Sequence, residues 1–318
     1  MKPIYINKIS SFDYTVGEYT GIPCAKIADP DYKSIISNAN MRRRMSRVIK
    51  MGVSSALICL GNQADIALDG IITATGWGCL EDTEKFLNDM IKYDEGSLNP
   101  TTFIQSTFNT IGAQIALLLS AKAYNMTYVH RSLSLESALT DAMLLLNEGK
   151  QNVLVGAFDE LTSSSFTTLR RLGIYRNCLA GEGVNFFLLG TDKTDTTLAQ
   201  IKGLTTLPTG TNSDSVSESV IRFLSVYGLH PSDLSLIALG KNGKLASDRI
   251  YDEVISILAL KDASVLLFKQ TCGEYPTAMA FGLVKTVEQL SSNSEVGSYA
   301  LLLNIDEAFG SSLILIQH

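Results

Sequence analysis

The chain reads as an α/β layered fold built from two similar halves. Short β-branched runs alternate with amphipathic segments throughout its 318 residues, the pattern of strands and helices stacked in layers. Each half runs approximately β-α-β-α-β-α-β-β, which implies an internal duplication although residue identity between the halves is negligible. Segment 103–119 carries apolar residues all round, Ile104, Phe108, Ile111, Ile115 and Leu118 among them. That predicts a helix buried between layers, and suits sheets with helices packed between them.

In order, the first half reads as strand 4–8, helix 41–60, strand 70–74, and helices 81–93 and 103–119. Strand 127–129 and helix 133–147 follow, then strands 152–158 and 184–189. The second half reads as strand 199–206, helix 214–226, strand 234–239 and helix 246–258. It closes with strand 263–268, helix 275–291 and strands 299–305 and 312–317. The polar, turn-rich stretch 208–213 is a loop within the second half, so the halves are expected to divide as 1–190 and 191–318. The turn at Ser132 and the turn at Gly273-Glu274 fall at equivalent places. Two helix N-termini should therefore face each other across a pseudo-twofold axis and share one pocket.

Composition excludes several functions. The formal charge of −6 argues against nucleic acid or an anionic membrane as the main partner. The longest apolar stretches, 111–121 and 298–305, are too short to span a bilayer. No charged-then-apolar leader opens the sequence, so a signal peptide is not expected. The five cysteines, Cys24, Cys59, Cys79, Cys178 and Cys272, are odd in number and lack metal-ligand spacing. They read as reduced thiols of a cytoplasmic protein, most of them packed. The three histidines, His130, His230 and His318, are too far apart to suggest zinc. Neither a metal nor a cofactor is expected.

Segment 123–161 carries most of the chemical information: strand, sharp turn, buried helix, strand. A side chain at such a turn sits at a helix N-terminus, where free N–H groups and the macrodipole stabilise an anion such as a thiolate. Here the slot holds Ser132, a hydroxyl that the dipole alone cannot ionise and that needs a positioned base.

With these residues in place, the chain resembles β-ketoacyl synthases of the thiolase superfamily. The resemblance is clearest over 99–189 and 231–280. Asn99-Pro100 with Phe103 and Asn109 is similar to the family's NPxxF…N segment, and Asn125-Met126-Thr127 to the strand that leads to its active cysteine. The stretch from Gly156 to Leu161 resembles GGxExL, and Gly181-Glu182-Gly183 resembles the GEGA strand. The resemblance implies a thiolase-like layered αβαβα sandwich with no cofactor.

Active relatives use a cysteine and two histidines. In the alignment the cysteine falls on Ser132. The HGTGTxxxD motif falls on Gly240-Lys241-Asn242-Gly243-Lys244, with Asp248 kept, so the first histidine is Gly240. The KxxxGHxxxA motif keeps Lys269, Gly273 and Ala278, and the second histidine is Glu274. All three reactive groups are replaced, while the scaffold around each is expected to be kept. The glycine-rich gate reduces to Glu307-Ala308-Phe309-Gly310. The resemblance therefore implies a subunit of the chain-length-factor type, without catalysis of its own. Its partner would be an active ketosynthase, paired through the strand near 127–129, and acyl carrier protein would deliver the substrates of polyketide, polyene or specialised fatty-acid synthesis. The alternatives are a Ser132-dependent acyltransferase or thioesterase, and a homodimeric acyl or carrier-protein binding protein.

The individual residues leave choices open. His130 is a core or interface histidine, or a base for Ser132. Glu274 forms a buried pair with Lys269, or serves as that base. Asp248 is a helix-terminal or structural carboxylate. Arg42, Arg43, Arg44, Arg47 and Lys50 make a solvated basic face, or a dock for an acidic carrier protein. Gly76-Trp77-Gly78 reads as a packed turn and not a phosphate loop, and Cys272 as a buried thiol.

Overall fold

The structure, a computed structural model, describes residues 2–61, 66–96, 98–260, 262–293 and 297–318. The first half contains β1 (Ile4–Ser11), β2 (Tyr14–Tyr19), β3 (Ile22–Ile27), α1 (Tyr32–Ile35), α2 (Ala39–Arg44), α3 (Arg47–Leu60) and β4 (Gly70–Ala74). It continues with α4 (Leu80–Lys92), α5 (Pro100–Gln105), α6 (Thr110–Leu119), β5 (Tyr124–Tyr128) and α7 (Ser134–Asn147). Then come β6 (Asn152–Asp159), α8 (Ser163–Arg171), β7 (Ala180–Gly181) and β8 (Gly183–Gly190). The second half contains β9 (Ala199–Leu207), α9 (Ser213–Ser225), β10 (Leu234–Leu239), α10 (Leu245–Ile257) and β11 (Ser264–Leu267). It ends with α11 (Lys269–Cys272), α12 (Ala278–Asn293), β12 (Tyr299–Asn304) and β13 (Ser311–Gln317).

Ten strands form one sheet in the order β11-β10-β12-β13-β9-β1-β8-β6-β4-β5. From either edge inward, the order within each half is third, second, fourth, fifth and first of its main strands. The halves meet where β1 pairs antiparallel with β9, Ile4 opposite Ile201 and Ile6 opposite Ala199. We propose the division between them at 190/191.

Alternation along the strands builds five layers. Ile72, Val155, Ala238 and Ile314 face a central core made by α7 and α12. Their neighbours Ile71 and Leu154 face outward onto α3 and α6, while Ile237 and Leu239 face α9 and α10. The sheet thus wraps the two central helices, as the αβαβα expectation required.

Local chemistry sets the boundaries. Asn99 caps α5, with Pro100 at its first position. Thr162 with Ser165, and Asn212 with Ser215, close reciprocal capping boxes on α8 and α9.

Several expected boundaries are corrected. The helix expected over 41–60 is two helices, because Met45 turns extended and places its side chain in the core. The helix expected over 103–119 breaks at 106–109, where the Thr107 and Thr110 hydroxyls both bond Ile104 O. Nor is it buried all round: Thr110, Ile111, Gly112 and Ile115 face inward, while Phe103, Ile104, Phe108 and Leu117 are exposed. The helix expected from 275 starts at Ala278. Glu274 is held extended beside Ala180, and Pro276 keeps the residue before it out of helical geometry. The hairpin β2–β3 was not anticipated. Its turn residues Thr20 and Gly21 both have positive φ, as a two-residue hairpin of this hand requires. Among the described residues, no helix is long and apolar enough to cross a membrane.

Candidate functional site

The pocket forms where the ends of β5, β10 and β12 meet the turn before α7. Arg131 opens that turn at φ 52°, a left-handed conformation uncommon for a residue with a Cβ. Ser134, the first residue of α7, pins it. Its Oγ accepts the His130 N–H at 2.8 Å and lies 2.9 Å from Thr75 O and 2.7 Å from Arg131 O. Between them Ser132 is only 7% exposed, and its Oγ has no hydrogen-bond partner among the described residues.

The opposite wall is held by Asp159 at the end of β6. Its buried carboxyl accepts from Thr75 Oγ1 (2.8 Å), Gly76 N (2.9 Å) and Trp77 N (2.8 Å) on one oxygen. The other oxygen accepts from Thr277 N (2.9 Å) and Thr277 Oγ1 (2.8 Å). Gly76-Trp77-Gly78 is therefore a packed turn whose amides are already used. Gly76 must lack a side chain, since a Cβ there would lie 2.3 Å from Pro276 Cβ.

The resulting cavity, about 340 Å³, is lined by Ser132, Trp77, Asn242, Lys269, Glu274 and Phe309 among others. Two of the expected positions form an ion pair in it: Lys269 Nζ lies 3.1 and 2.9 Å from the two Glu274 oxygens. Asn242 Nδ2 donates to Glu274 Oε2 at 2.5 Å. Asp248 holds the loop that carries Asn242, accepting the Asn242 and Gly243 amides.

Gly240 does not line the cavity, and its surroundings are not preserved as expected. A Cβ at 240 would fall 2.3 Å from Asn304 Oδ1 and 2.9 Å from Tyr251 Oη. Those two side chains occupy the space an imidazole would need. The mouth is shaped by Asp306, whose Oδ1 accepts the Ala308 and Phe309 amides at 2.9 and 3.1 Å. Phe309 packs its ring under the Arg131 guanidinium, 4.6 Å from its carbon.

His130 lies outside this pocket. It is exposed, and its Nδ1 is 3.1 Å from Ser137 Oγ. Cys272 is fully buried, which pushes its thiol well up, so it is an inert packed group. Arg47 is not part of a basic face: it pairs with Asp29 and with the buried Glu182.

Two side chains near the site carried no sequence signal. Asp306 is one, and Glu136, one turn beyond Ser132, is the other. Glu136 is buried and accepts from Ser312 Oγ at 2.6 Å. Desolvation raises its carboxyl to about 7, against the lowering pull of Ser312 and of Lys269. Because the folded value is the raised one, the folded chain holds this proton between about pH 4.5 and 7 and the unfolded chain does not. Stability should therefore fall as pH rises through that window, by about 3 kcal/mol. Urea titrations should show the wild type losing that much stability relative to Glu136→Gln, which has no carboxyl there to titrate, between about pH 4.5 and 7.

Residues 25–180 match the family model described as β-ketoacyl synthase, N-terminal domain. None of the curated proteins matches the chain. Among solved structures, the ishigamide ketosynthase/chain length factor superposes with a TM-score of 0.83 at 16% identity, covering 99% of both chains. The chain has the ketosynthase fold. A type II polyketide acyl carrier protein in complex with its ketosynthase bound to the hexaketide gives a TM-score of 0.77 at 14% identity, covering 100% and 99%. The ketosynthase ApeO in complex with its chain length factor ApeC, from Xenorhabdus doucetiae, gives 0.75 at 13% identity, covering 99% and 98%. On this ketosynthase fold Ser132, Lys269 and Glu274 share one pocket, and Gly240 is not among the residues that line it.

Proposed function

We propose that this chain is a non-catalytic ketosynthase-like subunit of the chain-length-factor type. It pairs with an active ketosynthase in polyketide, polyene or specialised fatty-acid synthesis, in the cytoplasm, and works with acyl carrier protein. One observation carries the reading: none of the three reactive positions retains a group able to condense. Ser132 has no base within hydrogen-bond reach among the described residues. Position 240 is filled by Asn304 and Tyr251. Position 274 is a carboxylate held by Lys269 and Asn242, which cannot donate to an oxyanion and would repel an enolate. The backbone amides of Ala308 and Phe309 at the mouth are engaged by Asp306. Geometry gives no support to the acyltransferase alternative, since His130 turns to Ser137 and both Glu274 oxygens are engaged.

The surface supports a partner. β5 is the edge of the ten-stranded sheet, and an exposed edge is a template for another strand. Met126 on β5 is exposed, as are Phe103 and Ile104 on α5, Phe108 just before α6 and Leu117 on α6, and clustered exposed apolar side chains mark interaction surfaces. Pairing through β5 would extend the sheet across a twofold axis and cover this face.

Co-expression with a ketosynthase should give a one-to-one complex on gel filtration. Met126→Asp, on the exposed edge, should weaken it at least tenfold while leaving the isolated chain's stability within about 0.5 kcal/mol. A lone homodimer that never takes up a synthase would instead favour the acyl-binding alternative.

A further inference from the structure

A cavity of about 360 Å³ opens between the β2–β3 hairpin, the N-terminal ends of α3 and α4, and the segment that follows β6. It shares no lining residue with the pocket of Ser132. Its charges are uneven. Arg47 is engaged by Asp29 and by the buried Glu182, and Lys26 holds its Nζ 4.0 Å from the centre of the Tyr19 ring. Glu81, Glu84 and Glu160 also line the cavity, and none of the three forms an ion pair among the described residues. Glu160 is the telling one. It is only 3% exposed, so its charge has little water to rely on. Its Oε1 accepts the Glu81 amide at 3.0 Å, whereas Oε2 has no hydrogen-bond partner among the described residues and is not sealed from solvent. A carboxylate this buried is either neutralised by a proton or met by a cation.

We propose that this cavity binds a linear aliphatic diamine or longer polyamine, with one ammonium group on Glu160 and a second on Glu81 and Glu84. Those two glutamates stand three residues apart on α4 and so share one face of the helix. Among the described residues no three acidic side chains are close enough together to hold a metal ion. Carboxylates spread in this way suit a cation whose charges are separated by a flexible chain. Ile27 and Leu161 on the walls give the intervening methylenes an apolar surface, and the volume is in the range of small-molecule sites. Burial pushes the Glu160 carboxyl up to about 8, with the Glu81 amide pulling it down and the charges of Glu81, Asp82 and Glu182 pushing it further up. An ammonium group on Oε2 would stabilise the ionised form that these neighbours disfavour. Lys26 is the internal competitor for the same carboxylates, so the test includes it. The site does not depend on the partner-subunit reading.

The test is titration calorimetry on the full chain at low salt and about pH 8.5, where Glu160 is ionised and aliphatic amines keep their charge. The probes are 1,4-diaminobutane, spermidine and butylamine. The diamine should bind about tenfold more tightly than butylamine, and spermidine at least as tightly as the diamine. Glu160→Gln, which can still accept the Glu81 amide and so keeps the fold, should weaken diamine binding about tenfold. Glu84→Gln, on the more open wall, should weaken it several-fold. Lys26→Met should leave the diamine bound at least as tightly. No diamine binding, equal binding of butylamine and the diamine, or binding indifferent to Glu160→Gln would overturn the proposal. So would diamine binding that appears only in Lys26→Met, because Lys26 would then be the counter-ion that the site was built for.

Discussion

Asp159→Ala is expected to lose about 4 kcal/mol of stability, enough to leave much of the chain unfolded at 37 °C. The carboxyl accepts five hydrogen bonds, three from backbone amides, and no water reaches it in the core. Alanine leaves those donors unpaired, and they lie on the two segments that wall the pocket, 75–77 and Thr277. Asn should recover part of the loss, because its single carbonyl can serve only one of the two donor sets. Guanidinium unfolding midpoints for wild type, Asn and Ala should fall in that order. A midpoint for Asp159→Ala within error of wild type would show that the pocket walls are held by something else.

Gly240→His should fail to restore a catalytic imidazole and should destabilise the chain by about 3 kcal/mol. Its Cβ alone would overlap Asn304 Oδ1 at 2.3 Å, and overpacking a filled site forces neighbours out of their rotamers. Tyr251 cannot give way cheaply, because its hydroxyl accepts the Ile305 amide at 2.6 Å and its ring is fully buried. Asn304→Ala should relieve part of the strain, so the double variant should be more stable than the sum of the singles by about 1–2 kcal/mol. Simple additivity would mean that 240 and 304 do not compete for the same space.

The scaffold was far more legible in the residues than the site was. Strands 70–74 and 234–239 were read with correct bounds because parallel strands buried on both faces appear as uninterrupted apolar runs. The pairing of Lys269 with Glu274 was legible because two opposite charges in an apolar neighbourhood have few other partners. Helix 103–119 was misjudged for a physical reason: periodicity reports that a face is apolar, but not whether its own core or another chain covers it. The hairpin of β2 and β3 went unread although Thr20-Gly21 marks its turn. Asn304, Tyr251, Asp306 and Glu136 act through contacts between distant segments. No local pattern distinguishes them from ordinary polar residues, and the filling of the space beside Gly240 became visible only with the fold.

On the proposed reading this chain has no condensing chemistry of its own. The most direct measurement is intact-mass and product analysis after incubating the purified chain with an acyl thioester and a malonyl thioester. The expected result is an unmodified mass and no extended product, with extension seen only when an active ketosynthase is added. An acyl group found on Ser132, lost in Ser132→Ala and accompanied by a β-keto product from the chain alone, would contradict it.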